Sequence, residues 1–441
     1  MPTQRPTDSR PSKFILPVVL AAQFVIPMSI AGTAIALPEI ARDLGESPGP
    51  LQWVVNGFNL AFALFTIVWG ATSDRIGHKN AFCIGIAVTG IAGVLSAAAP
   101  SLAVLDGARI LAGVGAAAVL VGSTSILSNA YSGAARGKAF AAFGTVNGLG
   151  LALGPTIAGA LVGGIGWRGV FLAQAAVLAV AFGGTAALPA IKPPRDNTTG
   201  KTPILDLSLL RNPRFLGLCL VPVAGAIGFV TLLTYLPGAL SGIAGMGPGS
   251  AGLLMLAMTA PVLAAPAVVA KAVSTGRIHP TTVVHLSLAS LVVGDLGMLA
   301  LRPDMSLWWI LVPMALVGLG FGLPIGLVDG EALASVPAEL SGTAAGLLNL
   351  FRIGGEAILV AGYAWLLGLF VHASMPGSPR ADATAAGLPG FPHEYADAFH
   401  TVVGILAALV ALTAVAATLL VRAGSPASEQ SRHTTEVSSR S

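Results

Sequence analysis

The sequence predicts an all-α membrane protein with twelve transmembrane helices in two six-helix repeats and with both termini in the cytoplasm. Three observations predict this fold: an apolar composition, twelve long apolar runs, and a one-sided distribution of basic residues. Of the 441 residues, 54% are hydrophobic and 10% are charged, whereas a soluble domain is about 25% charged. Because so few charges cannot coat a soluble protein of this size, most of the surface must face lipid.

Twelve apolar runs are long enough to cross a membrane as helices. About 20 apolar residues span the hydrocarbon core as a helix. The runs are continuously apolar and do not alternate, which excludes a transmembrane β-barrel. We place the spans at residues 14–37, 53–73, 81–99, 102–127, 138–163, 168–190, 215–237, 249–270, 280–300, 306–328, 341–371 and 397–421.

Basic residues support the orientation and the number of spans. With cytoplasmic termini, the Lys and Arg residues outside the spans fall on the cytoplasmic side, apart from Arg42, Arg168, Arg302 and Arg380. Such an excess of basic residues is the usual mark of cytoplasmic loops. The net charge of +4 therefore reflects membrane topology, and we expect no nucleic-acid partner.

A polar central loop divides the chain into two halves. We predict a cytoplasmic tail at 1–13, a six-helix bundle at 14–190, a cytoplasmic loop at 191–214, a second bundle at 215–421 and a disordered cytoplasmic tail at 422–441. Weak internal echoes, such as 113-GVG-115 and 318-GLGFG-322, agree with a repeat. Parallel repeats of this kind place a substrate site between the halves near the membrane midplane.

Three short motifs lie at matching places in the predicted spans. The loop after the second span reads 70-GATSDRIGHK-79, the fourth span contains 109-RILAGVGAA-117, and the fifth contains 150-GLALGPTIAG-159. They match the patterns G-x-x-x-D-R-x-G-[RK]-[RK], R-x-x-x-G-x-G-A-A and G-x-x-x-G-P-x-x-[AG]-G. The sequence therefore resembles the major facilitator superfamily, and its drug:proton antiporters in particular.

Further stretches extend the resemblance over nearly the whole chain, with some departures. The stretch 166-GWRGVF-171 resembles the W-R-x-x-F that opens the sixth span of drug exporters. His78 stands where the family usually has Arg or Lys, and Ala112 where many members have Gln. The N-terminal half resembles the fourteen-span exporters most, although this chain has only twelve predicted spans.

The first motif concentrates charges in a chain that has few of them. Its glycines permit a tight turn and close packing, and Asp74 can meet the positive end of a helix dipole. The resemblance implies a gating motif that binds the two halves together in one state and releases them in another. The alternative is that the charges only fix the turn and the topology. The predicted gating residues are Gly70, Asp74, Arg75, Gly77 and Lys79.

The third motif places glycines and a proline inside the fifth span. Proline bends a helix and leaves a carbonyl without its usual partner, and glycines permit close approach of a neighbouring helix. In the family that the chain resembles, this bend is associated with export. The residues of this antiporter motif are Gly150, Gly154, Pro155 and Gly159.

Ionisable groups within spans are costly and are therefore functional candidates. Asp106 lies three residues before Arg109, and Arg352 lies four residues before Glu356, so each pair shares one helix face. Each carboxylate either forms a fixed ion pair or carries protons, and we rank Glu356 before Asp106 as the proton carrier. Many drug exporters have an Asp in the first span where Ser29 stands here, and a serine cannot carry protons.

Polar residues within the spans are the candidates for a central substrate cavity. Helical periodicity cannot orient them, because every face of these helices is apolar, and each could instead be an interhelical hydrogen-bond partner. The candidates are Gln23, Ser29, Asn56, Asn59, Asn147 and Gln174.

Together these features predict a multi-pass transporter of the bacterial inner membrane. We expect it to act as a monomer, exporting a small hydrophobic or amphipathic compound in exchange for protons by alternating access. Proton-linked uptake of a metabolite is the first alternative, and a membrane sensor without turnover is the second. We expect no enzymatic activity, cofactor or metal, because the sequence has no phosphate-binding loop and no metal-ligand cluster. The expected partners are the substrate, protons and the lipid bilayer.

Overall fold

The computed structural model describes residues 14–45, 48–131, 133–188, 207–337, 344, 347–348, 351–352 and 355–424. All regular elements in this part of the chain are helical. The predicted terminal tails, most of the predicted central loop and the first part of the predicted eleventh span lie outside the described residues.

The helices that precede residue 189 form the N-terminal bundle. They are α1 (Ile15–Leu44), α2 (Pro48–Ile76), α3 (His78–Ala97), α4 (Leu102–Ala130), α5 (Gly133–Ile165) and α6 (Trp167–Gly184). Each occupies one predicted span. The helix α6 ends before the predicted limit of 190, because the chain tightens into a 3₁₀ turn at Thr185–Ala187.

The helices after residue 206 form the C-terminal bundle. They are α7 (Pro213–Gly225), α8 (Thr231–Ala244), α9 (Pro248–Leu254), α10 (Leu256–Ser274), α11 (Pro280–Gly297), α12 (Trp308–Gly322), α13 (Leu327–Ala334), α14 (Gly355–Ser374), α15 (Ala381–Ala385) and α16 (Pro392–Ala423). A π-helical turn, Ala226–Val230, lies between α7 and α8, which together form one otherwise continuous span.

Ten helical segments of the described chain are long and apolar enough to cross a membrane. Two more helices, α2 with 29 residues and α14 with 20, occupy the predicted second and eleventh spans. The predicted all-helical membrane fold is thus confirmed. The predicted tenth span at 306–328 lies largely within one of these segments, Trp308–Ala334, but the helix inside it is interrupted. The helix α12 ends at Gly322, and Gly326 then adopts φ +77, a left-handed conformation that favours glycine and starts the separate helix α13.

Glycines set the closest helix contacts in both bundles. The helix α4 packs against α2 and α3, and α12 packs against α10 and α11. A Cβ atom built on Gly113 of α4 would lie 2.3 Å from the Phe58 carbonyl oxygen of α2. A Cβ on Gly318 of α12 would lie 1.8 Å from the Met258 carbonyl oxygen of α10. Both contacts need a residue without a side chain, as in other close pairs of membrane helices.

Replacing Gly318 by alanine should therefore destabilise the C-terminal bundle. The new methyl group meets backbone, which cannot rotate away, and such overpacking typically costs about 1–3 kcal/mol. The matched control is Gly368→Ala in α14, where a Cβ would meet nothing within 4 Å. We expect a lower melting temperature of the detergent-purified protein for the first variant and an unchanged or higher one for the second. Equal melting temperatures would contradict the contact.

Among the described residues, the two bundles are in contact near one face of the membrane domain and towards its middle. We call the face near Phe14 and Gly424 the termini face, and the other the opposite face. One apolar core cluster contains residues of both bundles, including Ile35 and Val54 with Leu233 and Leu236. These N-terminal residues lie in the half of α1 and of α2 that is nearer the opposite face. A second cluster, near the termini face, contains residues of the N-terminal bundle alone.

Candidate functional site

Arg109 is buried in the N-terminal bundle, with 2% of its surface exposed. Its Nε donates a hydrogen bond of 3.0 Å to the Val54 carbonyl oxygen, and its Nη1 donates one of 3.0 Å to the Ser29 hydroxyl. The guanidinium carbon lies 4.5 Å from the centre of the Phe58 ring, within the range of a cation–π contact. The buried charge is therefore held by α1 and α2 through polar and aromatic groups.

Asp106 does not form the fixed ion pair with Arg109 that was one alternative from the sequence. The bonds of Arg109 point to α1 and α2, and Oδ1 of Asp106 is buried without a hydrogen-bond partner. The part of the chain that the structure describes contains no ion pair between Asp106 and Arg109. Proton exchange by Asp106 stays a hypothesis.

Ser29 lies where the resemblance places an acidic residue in many drug exporters. Its side chain is buried, and its hydroxyl accepts the bond from Arg109. The Thr33 hydroxyl donates a bond of 2.7 Å to the Ser29 carbonyl oxygen. A carboxylate at this position would lie beside Arg109, and the serine gives the guanidinium a neutral partner in its place.

Other predicted cavity residues lie at contacts between helices. Gln23 of α1 donates a hydrogen bond of 2.8 Å to the Asn147 side-chain oxygen of α5, so this pair ties two helices of the same bundle. Asn56 of α2 lies beside the Tyr235 hydroxyl of α8, so it faces the other bundle. The remaining two candidates are buried in the N-terminal bundle: Asn59 and Gln174.

The antiporter motif packs against two different neighbours. Gly150 and Gly154 face α1, where a Cβ on Gly150 would lie 2.6 Å from the Pro27 ring. Gly159 faces α9 of the C-terminal bundle, and a Cβ there would lie 2.5 Å from the Pro248 carbonyl oxygen. The motif therefore combines packing inside one bundle with a backbone-to-backbone contact between bundles.

Hydrogen bonds to backbone carbonyls complete the junction at the opposite face. Thr156 donates one of 2.8 Å to the Gly252 carbonyl oxygen, and Gln52 donates one of 3.2 Å to the Ala364 carbonyl oxygen. A Cβ on Gly252 would lie 2.7 Å from the carbonyl oxygen of Pro155. No sequence pattern marks Thr156 or Gln52, because a bond to a backbone carbonyl requires no particular residue on the other side.

Little space is left between the bundles at the opposite face. A cavity of about 30 Å³ lies there, which is room for a water molecule and not for a drug-sized ligand. Residues from both bundles line it, among them Gln52, Thr234, Tyr235 and Tyr395. The Tyr235 hydroxyl donates a bond of 3.0 Å to the Val360 carbonyl oxygen, so this side of the junction is also fixed.

The gating motif lies at the termini face, between α2 and α3. Gly77 forms the turn with φ +92, as the sequence predicted. The Lys79 ammonium donates a hydrogen bond to the Leu188 carbonyl oxygen at the end of the same bundle, and Arg75 is exposed. In this conformation Lys79 therefore bonds within the N-terminal bundle.

Gly70 and Asp74 complete this motif near the end of α2. A Cβ built on Gly70 would meet nothing within 4 Å among the residues that the structure describes, so the close helix packing expected there stays a prediction. The backbone of Asp74 is helical, but its side chain lies outside what the structure describes. The role of its carboxylate stays a prediction.

Two ion pairs connect helices within the C-terminal bundle at the termini face. Arg214 of α7 lies 2.8 Å from Glu331 of α13, and Arg352 lies 2.5 Å from Asp329 of α13. Glu356 follows Arg352 by four residues in the first turn of α14 and is partly buried. The two carboxylates of α13 are thus paired with arginines while they stay partly exposed.

The described residues form a membrane domain of two helical bundles that are in contact at the opposite face. A family model described as Major Facilitator Superfamily matches residues 19–360. The chain belongs to this superfamily, as the motifs predicted, and it is a multi-pass protein of the bacterial inner membrane. It therefore belongs to a family of transporters and not of enzymes.

Its relatives include named drug exporters. The chain is 30% identical to a probable actinorhodin transporter of Streptomyces coelicolor, over 84% of this chain and 76% of the relative. It is 27% identical to the multidrug efflux pump LfrA of Mycolicibacterium smegmatis, over 77% and 78%. A puromycin resistance protein of Streptomyces alboniger is 36% identical, but over only 44% of this chain and 37% of that protein.

Solved structures share the fold. A bacterial homologue of the human lysosomal transporter Spinster, in an inward-facing and unoccupied conformation, has a TM-score of 0.70 at 17% identity, covering 93% of this chain and 97% of that one. The nucleoside transporter NupG has a TM-score of 0.71 at 14% identity, covering 92% and 99%. At such identities the likeness extends to the fold alone.

Proposed function

We propose that this protein exports a small hydrophobic or amphipathic compound in exchange for protons. The observation that carries the proposal is the junction that the described residues of the two bundles form at the opposite face. The antiporter-motif residue Gly159 makes a backbone contact across that junction. Alternating access needs a junction of this kind that forms at one face while the other face opens.

Packing supports the proposed arrangement of two six-helix halves. In the N-terminal bundle, α4 packs on α2 and α3, α1 packs on α5 and α6, and α3 packs on α6. In the C-terminal bundle, the spans that lie six positions later in the chain pack in corresponding pairs: α12 on α10 and α11, α7 on α16, and α11 on α16. With the basic residues on the termini face, we place the termini in the cytoplasm. The structure then corresponds to an inward-facing state.

The substrate class follows from the chemistry of the interior and from the names of relatives. Spans that carry so few charges favour an apolar or amphipathic ligand over a phosphorylated or strongly anionic one. The efflux and resistance functions in the relatives' names favour export over uptake. Asn56 and Tyr235, which meet between the bundles, are polar groups that a ligand could displace from each other. We propose that the transporter works as a monomer.

We propose Glu356 as the first candidate for the residue that carries the proton. It is a partly buried carboxylate in an apolar span, and a Cβ built on the preceding Gly355 would lie 3.8 Å from the Val223 side chain of α7. Arg352, one turn earlier, bonds to Asp329, so a second carboxylate already shares its charge. A carboxylate so placed can bind and release a proton as the bundles move.

Replacing Glu356 by glutamine should uncouple transport from the proton gradient. We expect inside-out vesicles containing the wild type to accumulate radiolabelled puromycin or ethidium when a proton gradient is imposed. Vesicles with Glu356→Gln should lose this accumulation yet keep exchange of labelled for unlabelled compound at equal pH, because glutamine keeps the shape without the proton. The control is Glu394→Gln, in the first turn of α16 at the opposite face.

The same assay separates the alternatives. Accumulation in right-side-out vesicles, driven by an inward proton gradient, would identify proton-linked uptake. Binding of the compound without exchange in either orientation would identify a sensor. Gradient-driven accumulation that survives in Glu356→Gln would remove Glu356 as carrier and favour Asp106, whose Oδ1 is buried without a partner.

A further inference from the structure

Asp295 is a buried carboxylate to which the sequence assigned no role. It lies in α11 and is 0% exposed. Both of its side-chain oxygens lack a hydrogen-bond partner. A carboxylate that is removed from water and makes no hydrogen bond is strongly disfavoured as an anion, so this geometry fits only the neutral acid.

The carboxyl group of Asp295 lies against the π-helical turn of the seventh span. A Cβ built on Gly228 would lie 2.5 Å from Oδ2 and 3.2 Å from Cγ of Asp295, so the carboxyl group occupies the space that a side chain at residue 228 would take. Gly228 is the middle of the turn Ala226–Val230. Single π-turns within α-helices occur frequently at functional sites.

This turn is also where the seventh span can bend. Beyond it, α8 runs to the opposite face and packs against α1 of the other bundle. The turn itself touches α11, α12, α14 and α16, and its Phe229 stacks on Phe321 of α12 at 4.3 Å between ring centres. A movement of α8 that opens the junction would therefore change the surroundings of Asp295.

The described elements that pack on α11 at the level of Asp295 contain no charged residue that could neutralise an Asp295 anion. The stretches 215–244, 308–322 and 401–421 contain no Asp, Glu, Lys, Arg or His. Nearer the opposite face, His400 of α16 is bonded to the Leu301 carbonyl oxygen at 2.8 Å. The other titratable groups of the packed elements and of α11 are Cys219, Tyr235, His285, Asp329, Glu331, His393, Glu394, Tyr395, Asp397, Arg214 and Arg422.

We propose that Asp295 is a proton-dependent lock on the opposite face: the junction closes when the carboxyl holds a proton and is destabilised when it is ionised. The proton binds to a carboxylate oxygen from the side to which the open state exposes it, and no other bond changes. The inference rests on the proposed proton-coupled function. In that function, Asp295 would make closure of the empty transporter depend on proton binding. It adds a second carboxylate, in α11, to the proposed carrier Glu356 in α14.

The test measures closure directly and needs no substrate. Spin labels at Ile165→Cys of α5 and Leu253→Cys of α9 would report the distance between bundles at the opposite face, with Cys83 and Cys219 replaced by alanine. Both positions are well exposed, at 68% and 62%. The full-length protein in lipid nanodiscs would be titrated with protons alone, and double electron–electron resonance would give the distance distribution.

The proposal expects a short distance at low pH and a growing long-distance population as the pH rises. Asp295→Asn, which mimics the neutral acid, should stay short at every pH. Gly228→Ala should populate the long distance even at low pH, because its methyl group displaces the carboxyl. This variant decides the matter should Asp295→Asn not fold.

Two results would overturn the proposal. One is a wild type whose distance does not respond to pH. The other is an Asp295→Asn or Gly228→Ala protein that titrates as the wild type does. Since no substrate is present, these outcomes are independent of the vesicle assays, which test export and the role of Glu356. A wild type that closes with protons but exports nothing would uphold the lock and contradict the proposed function.

Discussion

Replacing Gly159 by leucine should abolish transport while leaving the protein folded. Gly159 approaches the Pro248 carbonyl oxygen so closely that even a Cβ would lie 2.5 Å from it. A leucine side chain cannot be accommodated between two backbones, so the bundles cannot meet at the opposite face. They can still separate there, because the junction is an interface between bundles and not the core of one bundle. Exchange of labelled puromycin or ethidium in proteoliposomes should fall to background.

The matched control for this prediction lies one helical turn away. Gly163 belongs to the same helix, and a Cβ there would meet nothing within 4 Å. Gly163→Leu should keep wild-type exchange, and both variants should keep a cooperative melting transition. Wild-type exchange by Gly159→Leu would show that this contact is not part of the cycle.

Replacing Arg109 by alanine should cause the second large loss, in stability as well as in transport. The change removes the donor to Ser29 and to the Val54 carbonyl oxygen. Leaving a buried polar group without its partner costs about 1–3 kcal/mol, and the stacked Phe58 ring loses its neighbour as well. We expect a clearly lower melting temperature and no measurable exchange of labelled compound.

Two variants separate the bonds of Arg109 from its charge. Arg109→Lys keeps the charge but loses the planar fork that reaches two acceptors, so we expect an intermediate melting temperature. Ser29→Ala keeps the arginine and removes one acceptor, and should have the smallest effect of the three. An Arg109→Ala protein with wild-type stability and exchange would contradict the network described here.

The all-helical membrane fold could be predicted from the sequence, because long and continuously apolar runs cross lipid as helices. The break in the helix after Gly322 could not be predicted, because the sequence does not distinguish Gly326, which adopts a left-handed conformation, from any other glycine of an apolar stretch. The positions of Gln23, Asn147 and Asn56 could not be oriented either, since a helix that is apolar all round has no preferred face.

The site was predictable where a motif fixes backbone geometry and unpredictable where a side chain bonds to backbone. Gly77 forms the expected turn and Gly159 the expected close contact. The bonds of Thr156 and Gln52 go to carbonyl groups, which every residue has. The contact of Asp295 with Gly228 depends on a π-helical turn that has no sequence signature.

The central claim is that a compound leaves the cell as protons enter. Its most direct test uses wild-type protein in proteoliposomes that contain a pH-sensitive dye, with puromycin, ethidium and other lipophilic drugs added outside one at a time. The claim predicts a proton movement that starts with the addition of a transported drug, is lost in Glu356→Gln and persists in Glu394→Gln. Labelled drug that exchanges across the membrane without any proton movement in the wild type would contradict it.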